Sequence, residues 1–267
     1  MCSMHPLLIE GDCLKRLAEL PDSSIDLILC DLPYGTTQNK WDSVIPLDRL
    51  WDEYNRVTKD TGTVVLMSQN VFTAKVILSN EKNFKYKITW VKSKATNFLN
   101  AKRQPLRKHE DICVFYNKNP TYHPQMSNGE AYNKGVRKNQ QTGSYGEFNP
   151  SLVKSDGERY PTDVIYFKTA ESEGEVWHST QKPVSLGEYL IKTYSSPGDV
   201  VLDNAFGSGS FLVAAARSGR VPVGIELNQN VERFKNSGLD MMDVANTRLL
   251  EVGCDARIIR SDKKIFD

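Results

Sequence analysis

Two short stretches of this chain hold residue types that can do chemistry together. The first, Asp31-Leu32-Pro33-Tyr34-Gly35, ends the apolar run Leu27-Ile28-Leu29-Cys30. It sets a carboxylate, a proline-stiffened carbonyl and an aromatic ring side by side where a strand would stop. In open α/β sheets, ligands bind at the carboxyl ends of strands. Taken alone, the same residues also read as a plain turn leaving a core strand. The second stretch is Asp203-Asn204-Ala205-Phe206-Gly207-Ser208-Gly209, after Val200-Val201-Leu202. Glycines there let backbone approach a ligand closely, and the helix start that follows offers free N–H groups. Glu226, near the end of the next apolar run, is placed to accept hydrogen bonds from ribose hydroxyls.

A dinucleotide would call for the third glycine of G-x-G-x-x-G, but Leu212 stands at that position. That glycine normally permits close helix–strand packing beneath a pyrophosphate. An adenosine cofactor without pyrophosphate, such as S-adenosylmethionine, fits the departure better.

The elements that must position these residues follow from periodicity. Strands are expected at Leu7–Ile9, Ile25–Cys30, Thr63–Met67, Tyr86–Val91, Ile112–Tyr116, Val164–Phe167, Val200–Asp203 and Val221–Leu227. Helical spacing appears over Leu14–Leu20, Leu47–Val57, Val71–Leu78, Leu186–Tyr194 and Phe211–Ser218, and the remainder reads as mainly helical. This alternation implies a mostly parallel sheet with helices on both faces. From Asn117 to about Pro161 the periodicity fails, and the segment is rich in Asn, Gln, Lys, Gly, Ser and Tyr. So long a stretch inside a compact domain is either an inserted recognition segment or a mobile loop.

Charge narrows the partner. The net charge is +1, but residues 82–154 carry 14 Lys/Arg against 4 Asp/Glu, while the flanking segments are net acidic. From Lys82 to His109 there are nine basic residues and no acidic one. A basic middle between acidic ends is the footprint of a protein that binds a polyanion on one side. Lys92, Lys94, Lys102, Arg103, Arg107 and Lys108 are candidate phosphate contacts. Asn133, Arg137, Lys138, Asn139, Gln140 and Gln141 are types that read base edges. The five cysteines are scattered without C-x-x-C spacing and the four histidines are dispersed. Reduced thiols and no metal are therefore expected. No apolar run approaches a membrane span and no signal peptide is recognisable, so a cytoplasmic protein is expected.

In this order, the motifs resemble the amino-methylating DNA methyltransferases, whose catalytic tetrapeptide is Asp/Asn/Ser-Pro-Pro-Tyr. The Asp31 stretch precedes the polar segment, then His178-Ser179-Thr180-Gln181-Lys182-Pro183, then the glycine turn. That order is similar to the circularly permuted β group, and the resemblance runs from Leu7 to about Arg233. It implies an α/β, Rossmann-like S-adenosylmethionine-dependent methyltransferase fold, with a mostly parallel seven-stranded sheet and an inserted target-recognition segment. Residues 1–116 would be the catalytic half, 117–163 the recognition insert and 164–267 the cofactor-binding half.

The resemblance assigns Asp31, Leu32, Pro33 and Tyr34 to catalysis. It assigns Asp203, Phe206, Gly207, Ser208 and Gly209 to the cofactor pocket, Glu226 to the ribose and Asp12 to the adenine. His178, Gln181 and Lys182 would lie near the methionine end, with Lys182 on its carboxylate. Two departures stand out. Leu32 replaces the usual proline but keeps the backbone carbonyl, and the aromatic Phe206 comes one place later than usual.

The implied activity is methyl transfer to adenine N6 in double-stranded DNA after base flipping. Aspartate as first tetrapeptide residue favours adenine over cytosine-N4, where serine is more usual. A cytosine-N4 enzyme and a non-catalytic DNA-binding relative are the alternatives, though Asp31, Tyr34, Gly207 and Gly209 are all present. A protein-glutamine methyltransferase shares a related tetrapeptide but would not need the basic insert. No Pro-Cys dipeptide occurs, against cytosine carbon-5 chemistry, and Cys30 reads as core. The resemblance further implies a bacterial or phage-encoded protein associated with the nucleoid, a homodimer and a partner restriction endonuclease.

Overall fold

The central strands are apolar on both faces, so successive residues enter two different cores. In the computed structural model, residues 5–35, 43–137, 151–178, 180–228 and 240–266 are described. The strands are β1 (Leu7–Glu10), β2 (Ile25–Cys30), β3 (Thr58–Ser68), β4 (Phe84–Thr96), β5 (Arg107–Phe115), β6 (Ser127–Asn128) and β7 (Tyr132–Arg137). They continue as β8 (Ser151–Ser155), β9 (Glu158–Arg159), β10 (Val164–Phe167), β11 (Val200–Asp203), β12 (Val221–Glu226) and β13 (Arg257–Ile259). The helices are α1 (Cys13–Leu17), α2 (Leu47–Val57), α3 (Val71–Ser79), α4 (Val184–Tyr194), α5 (Ser210–Arg217) and α6 (Met241–Leu250).

Among the described residues, nine strands form the main sheet, in the order β10-β4-β5-β3-β2-β11-β12-β1-β13. Only β5 runs antiparallel to its neighbours, β3 and β4. The sheet is thus mostly parallel, with two strands more than the seven expected. β13, on the outer edge of β1, is a three-residue Arg-Ile-Ile run, too short to show a period.

Alternation divides the core cleanly. Leu27 and Leu29, Val65 and Met67, Ile112 and Val114, and Val201 pack in one cluster with residues of α4, α5 and α6. Ile28 and Cys30, Val64 and Leu66, Cys113 and Phe115, and Leu202 pack in the other with residues of α2 and α3. Residues that continue the first series past the strand ends lie on the α4–α6 face, and those that continue the second lie on the α2–α3 face. That parity decides where the functional groups emerge.

Residues 124–162 form a separate unit. It holds two antiparallel ladders, β6 with β9 and β7 with β8. It begins at Pro124, later than the Asn117 boundary read from composition, because the preceding residues belong to the main unit: His123 N–H donates to the Thr193 carbonyl at 2.8 Å, and Tyr122 lies 6.1 Å from Tyr194. Among the described residues, no helix is long and apolar enough to cross a membrane.

At β12 the sheet and α5 approach closely. A Cβ on Gly224 would lie 2.5 Å from Leu212 Cδ1 and 2.6 Å from Phe206 Cδ1. Gly224→Ala is expected to destabilise the protein by about 1–3 kcal/mol, the usual cost of overpacking. The check is urea unfolding, where the midpoint should fall with an unchanged m-value.

Candidate active site

Parity carries Asp31, Glu110, Lys92, Asp203 and Glu226 to the α4–α6 face. Asp31 continues the Leu27, Leu29 series, and Glu110 precedes Ile112 and Val114 in the same phase. Lys92 follows Ile88 and Trp90, Asp203 follows Val201, and Glu226 follows Gly224. Leu32 has the opposite phase, and its side chain is buried among the α2–α3 cluster at 3% exposure. That anchor holds the Leu32 carbonyl in place, which is what the missing proline would otherwise stiffen.

Asp31 is held from two sides. Tyr34 Oη donates to Asp31 Oδ1 at 2.7 Å, and Lys182 Nζ donates to Asp31 Oδ2. Lys182 also lies 3.5 Å from Glu110 Oε2, while Lys92 Nζ donates to Glu110 Oε1 at 3.0 Å. Two ammonium groups and two carboxylates thus form one chain, from Asp31 through Lys182 and Glu110 to Lys92. Burial pushes the Asp31 carboxyl above its ordinary value, against the pull of Lys182. Burial alone would lower Lys182, but Asp31 and Glu110 together hold it above the usual range. For Glu110, Lys182 and Lys92 outweigh burial and hold the carboxyl low.

The start of α4 places Lys182. Pro183 precedes the helix, and Glu173 supplies the missing cap, its Oε2 accepting from Val184 N–H at 2.6 Å and its Oε1 from Ser185 N–H at 3.0 Å. Glu173 therefore satisfies the orphan donors of the helix that carries the lysine.

The glycine turn lies beside this network. β11 pairs in parallel with β2, so Asp203 emerges beside the end of β2. Burial pushes Asp203 up to about 8. Gly207 has φ +53°, and its N–H donates to Glu226 Oε2 at 2.8 Å. Burial raises Glu226 as well, opposed by backbone N–H groups of Gly207 and Asn228. A Cβ on Gly207 would meet nothing nearer than His178 Cγ at 4.0 Å, so the turn is an open cradle. Gly209 is different: its Cβ would fall 2.9 Å from Ala245 Cβ, so it serves the packing of α6. Ser208 Oγ donates to Gln181 Oε1 at 2.9 Å, and Gln181 Oε1 also accepts from Trp177 N–H at 2.9 Å. His178 Nδ1 lies 2.9 Å from Thr180 Oγ1. Asp12 ends the β1 side of the same edge, where it caps α1 by accepting from Lys15 N–H at 3.1 Å.

Three of the expected site residues have protein partners here. The buried Lys182 ammonium meets Asp31 and Glu110. Lys92, expected on phosphate, is 4% exposed and pairs with Glu110. The Phe206 ring is 5% exposed and faces Gly224. Tyr34 is partly committed too, stacked on Phe72 at 4.8 Å between centroids, with Lys182 Nζ 5.9 Å from its ring. Lys94, Lys102, Arg103 and Lys108 are exposed, and Arg107 Nη1 donates to Gln69 Oε1 at 3.5 Å. Asn133 and the backbone of Arg137 lie on β7 in the 124–162 unit, whereas Lys138, Asn139, Gln140 and Gln141 lie outside the described residues. Glu110 and Glu173 had not been singled out. The phase of Glu110 with Ile112 and Val114 is the signal that could have found it.

Comparison with known proteins adds the family context. Residues 25–236 match a family model described as DNA methylase. The chain is 29% identical to the DNA adenine methyltransferase YhdJ of Escherichia coli, over 90% of this chain and 83% of that protein. It is 28% identical to the type II methyltransferase M.HinfI of Haemophilus influenzae, over 92% of this chain and 68% of that protein. Among solved structures, M1.HpyAVI in complex with SAM matches with a TM-score of 0.60 at 20% identity, covering 91% of this chain and 98% of that one. The PvuII cytosine-N4-specific DNA methyltransferase matches with a TM-score of 0.62 at 13% identity, covering 96% of this chain and 95% of that one. These structural likenesses concern the fold.

Removing Lys182 leaves the buried Asp31 carboxylate without a cation, while Glu110 keeps Lys92. Lys182→Met is expected to cost about 3–5 kcal/mol of stability at pH 8, the usual cost of breaking a buried pair. The unfolded Asp31 carboxyl titrates near its ordinary 3.8, and the folded one above it. The native variant therefore binds more protons than the unfolded chain between those two values, and its stability falls as pH rises through that window. Chemical denaturation at pH 5 and pH 8 should show a smaller difference from wild type at pH 5.

Proposed function

The chain belongs to the DNA methylase family, and from that premise we propose that it transfers a methyl group from S-adenosylmethionine to the N6 amino group of adenine in double-stranded DNA. The observation that carries this reading is Asp31, a carboxylate held at a strand end by Tyr34 and Lys182 beside the anchored carbonyl of Leu32. One relative, YhdJ, is a DNA adenine methyltransferase by name, which supports the choice of adenine.

The cradle's chemistry fits an adenosine cofactor. Asp203 and Glu226 are acceptors when ionised, and an adenosine offers hydroxyl and amine donors. Burial raises both carboxyls, and donated hydrogen bonds would relieve that. The open side of Gly207 leaves room for a ligand against backbone. Asp203, Gly207 and Glu226, with Asp12 at the neighbouring strand end, would hold the group. When bound, S-adenosylmethionine supplies a methyl group on an electron-poor sulfonium.

The chain's own residues have a specific task. The exocyclic amine of adenine is a poor nucleophile because its lone pair is delocalised into the ring. Asp31 and the Leu32 carbonyl are two acceptors on adjacent residues, able to take the two amino hydrogens and turn the lone pair out of the ring plane. Lys182 and Tyr34 fix the Asp31 carboxylate in advance, so catalysis rests on positioning and electrostatics. The face of Tyr34 away from Phe72 can stack an extruded base. Such stacking is worth about 1–3 kcal/mol, against a few kcal/mol for unstacking the base. Exposed Lys94, Lys102, Arg103 and Lys108 supply phosphate contacts, and the 124–162 unit with Asn133 and Arg137 supplies base reading. Association of two copies, a partner restriction endonuclease and residence on the nucleoid are parts of the proposal that rest on the family alone.

Methyl-labelled S-adenosylmethionine and DNA from a methylation-deficient strain test the reading. Label is expected in DNA, as N6-methyladenine after digestion, at one sequence found by single-molecule sequencing. N4-methylcytosine would contradict the base, and no label the activity. Asp31→Asn should lower the rate by ~10²–10³-fold, the scale of losing one preorganised polar contact, with cofactor binding retained in calorimetry.

A further inference from the structure

The hairpin of β4 and β5 climbs well past the edge where Asp31 sits. Cys30 pairs with Leu66, Leu66 with Cys113 and Cys113 with Lys87. Beyond Lys87, β4 continues to Thr96, roughly 30 Å of strand at the ~3.3 Å rise per residue. At its tip, Phe98 is 75% exposed and Leu99 85% exposed, with Leu106 also exposed. Single exposed apolar residues are ordinary on protein surfaces. Here two large ones are adjacent, at the end of a projection, on a turn built to hold them.

That turn is preformed. Asn97 takes the left-handed conformation at φ +70°, and its side-chain oxygen accepts from Asn100 Nδ2 at 2.8 Å. Backbone bonds from Asn100 to Asn97, Ala101 to Phe98 and Arg103 to Asn100 close the turn at 3.1, 3.1 and 2.8 Å. The base of the hairpin is tied to β3 and α3 through Gln69, which donates to the His109 carbonyl at 2.9 Å. The hairpin also carries exposed Lys94, Lys102, Arg103 and Lys108, with Lys94 Nζ 4.0 Å from Glu171 Oε1 and no acidic residue from 82 to 109. A second protein copy would bring no complement to that charge, since its matching surface is equally basic. A nucleic-acid duplex brings both a polyanionic exterior and a stack of flat apolar faces. Proteins that unstack duplexes do so with apolar wedges flanked by cations.

We propose that Phe98 and Leu99 form a wedge that enters the base stack beside the target and helps to release the acceptor base. The proposal rests on the DNA-methylating reading given above and assigns that reading a second, non-catalytic contact with the duplex. The basic residues of the hairpin dock on phosphates, and the apolar pair takes the place of stacking lost when the base leaves.

The experiment uses the full chain and duplex oligonucleotides carrying the target sequence found by sequencing. In one, the acceptor adenine is paired normally; in the other, it faces an abasic position, so that its release costs less. The Phe98→Ala/Leu99→Ala double variant should melt like the wild type, because both side chains are exposed. On the paired duplex, its methylation rate at saturating DNA should fall by roughly tenfold to a hundredfold, the effect of losing one base–aromatic stack. On the abasic duplex, the loss should shrink to about threefold or less, and Phe98→Trp should keep activity on both, as any flat aromatic face can stack. Unchanged activity on the paired duplex would overturn the proposal, as would equal losses on both substrates. So would a wild type that self-associates through this tip while the monomeric variant methylates normally. If the wild type methylates neither duplex nor any DNA, the DNA-methylating reading itself fails, and the wedge with it.

Discussion

A buried ammonium shared between two carboxylates is the constraint on which the site depends. Lys182 is 9% exposed and has Asp31 on one side and Glu110 on the other. An unpaired charge at that depth would be very costly, and a paired one is tolerated only when its hydrogen bonds are met. The network therefore fixes three chain segments that are far apart in sequence: the end of β2, the start of β5 and the entry to α4. Glu173 secures the last of these from outside by capping α4. Because Lys92 draws off one oxygen of Glu110, the lysine at the centre is not neutralised by Glu110 alone and retains an interaction with Asp31.

The sheet explains why these groups meet. Its central strands are buried on both faces, so each is a row of alternating addresses, one for α4–α6 and one for α2–α3. Asp31, Glu110, Lys92, Asp203 and Glu226 share one phase and one edge. The adjacent Leu32 and Asp111 have the other phase: Leu32 is core, and Asp111 accepts from Lys87 at 2.7 Å and from Thr73 at 2.9 Å on the α3 side. One residue of slip in any of these strands would exchange the chemical group for the structural one. The close approach at Gly224 and Gly209 then sets α5 and α6 tightly against that edge, leaving Gly207 as the open part of the turn.

Much of this was legible from residue types and period. Asp31-Leu32-Pro33-Tyr34, the glycine turn and Glu226 announce themselves, because special backbone and acidic strand ends leave marks in sequence. The eight longer sheet strands were visible for the same reason, whereas Arg257-Ile258-Ile259 was too short to register. What could not be seen was partner choice. The spacing of Lys182 said nothing about the anion it would meet, since Asp31 is 151 positions away. Lys92 looked like the other bases of its run, and only its phase with Ile88 and Trp90 turns it inward. Phe206 is legible as the aromatic of the glycine turn, but its packing against Gly224 is not. The polar middle concealed a unit with two small ladders, where alternation is too short to detect.

The central claim is that Lys182 keeps Asp31 ionised and positioned for the acceptor amine. The most direct measurement is the pH dependence of single-turnover methyl transfer, comparing wild type with Lys182→Met. In the proposed mechanism the ionised form of Asp31 accepts from the amine, so the rate should rise with pH through the folded Asp31 value. Removing the ammonium that opposes the effect of burial must raise that value, and the acid limb of the variant should move to higher pH. An acid limb at the same pH in both proteins would contradict the account.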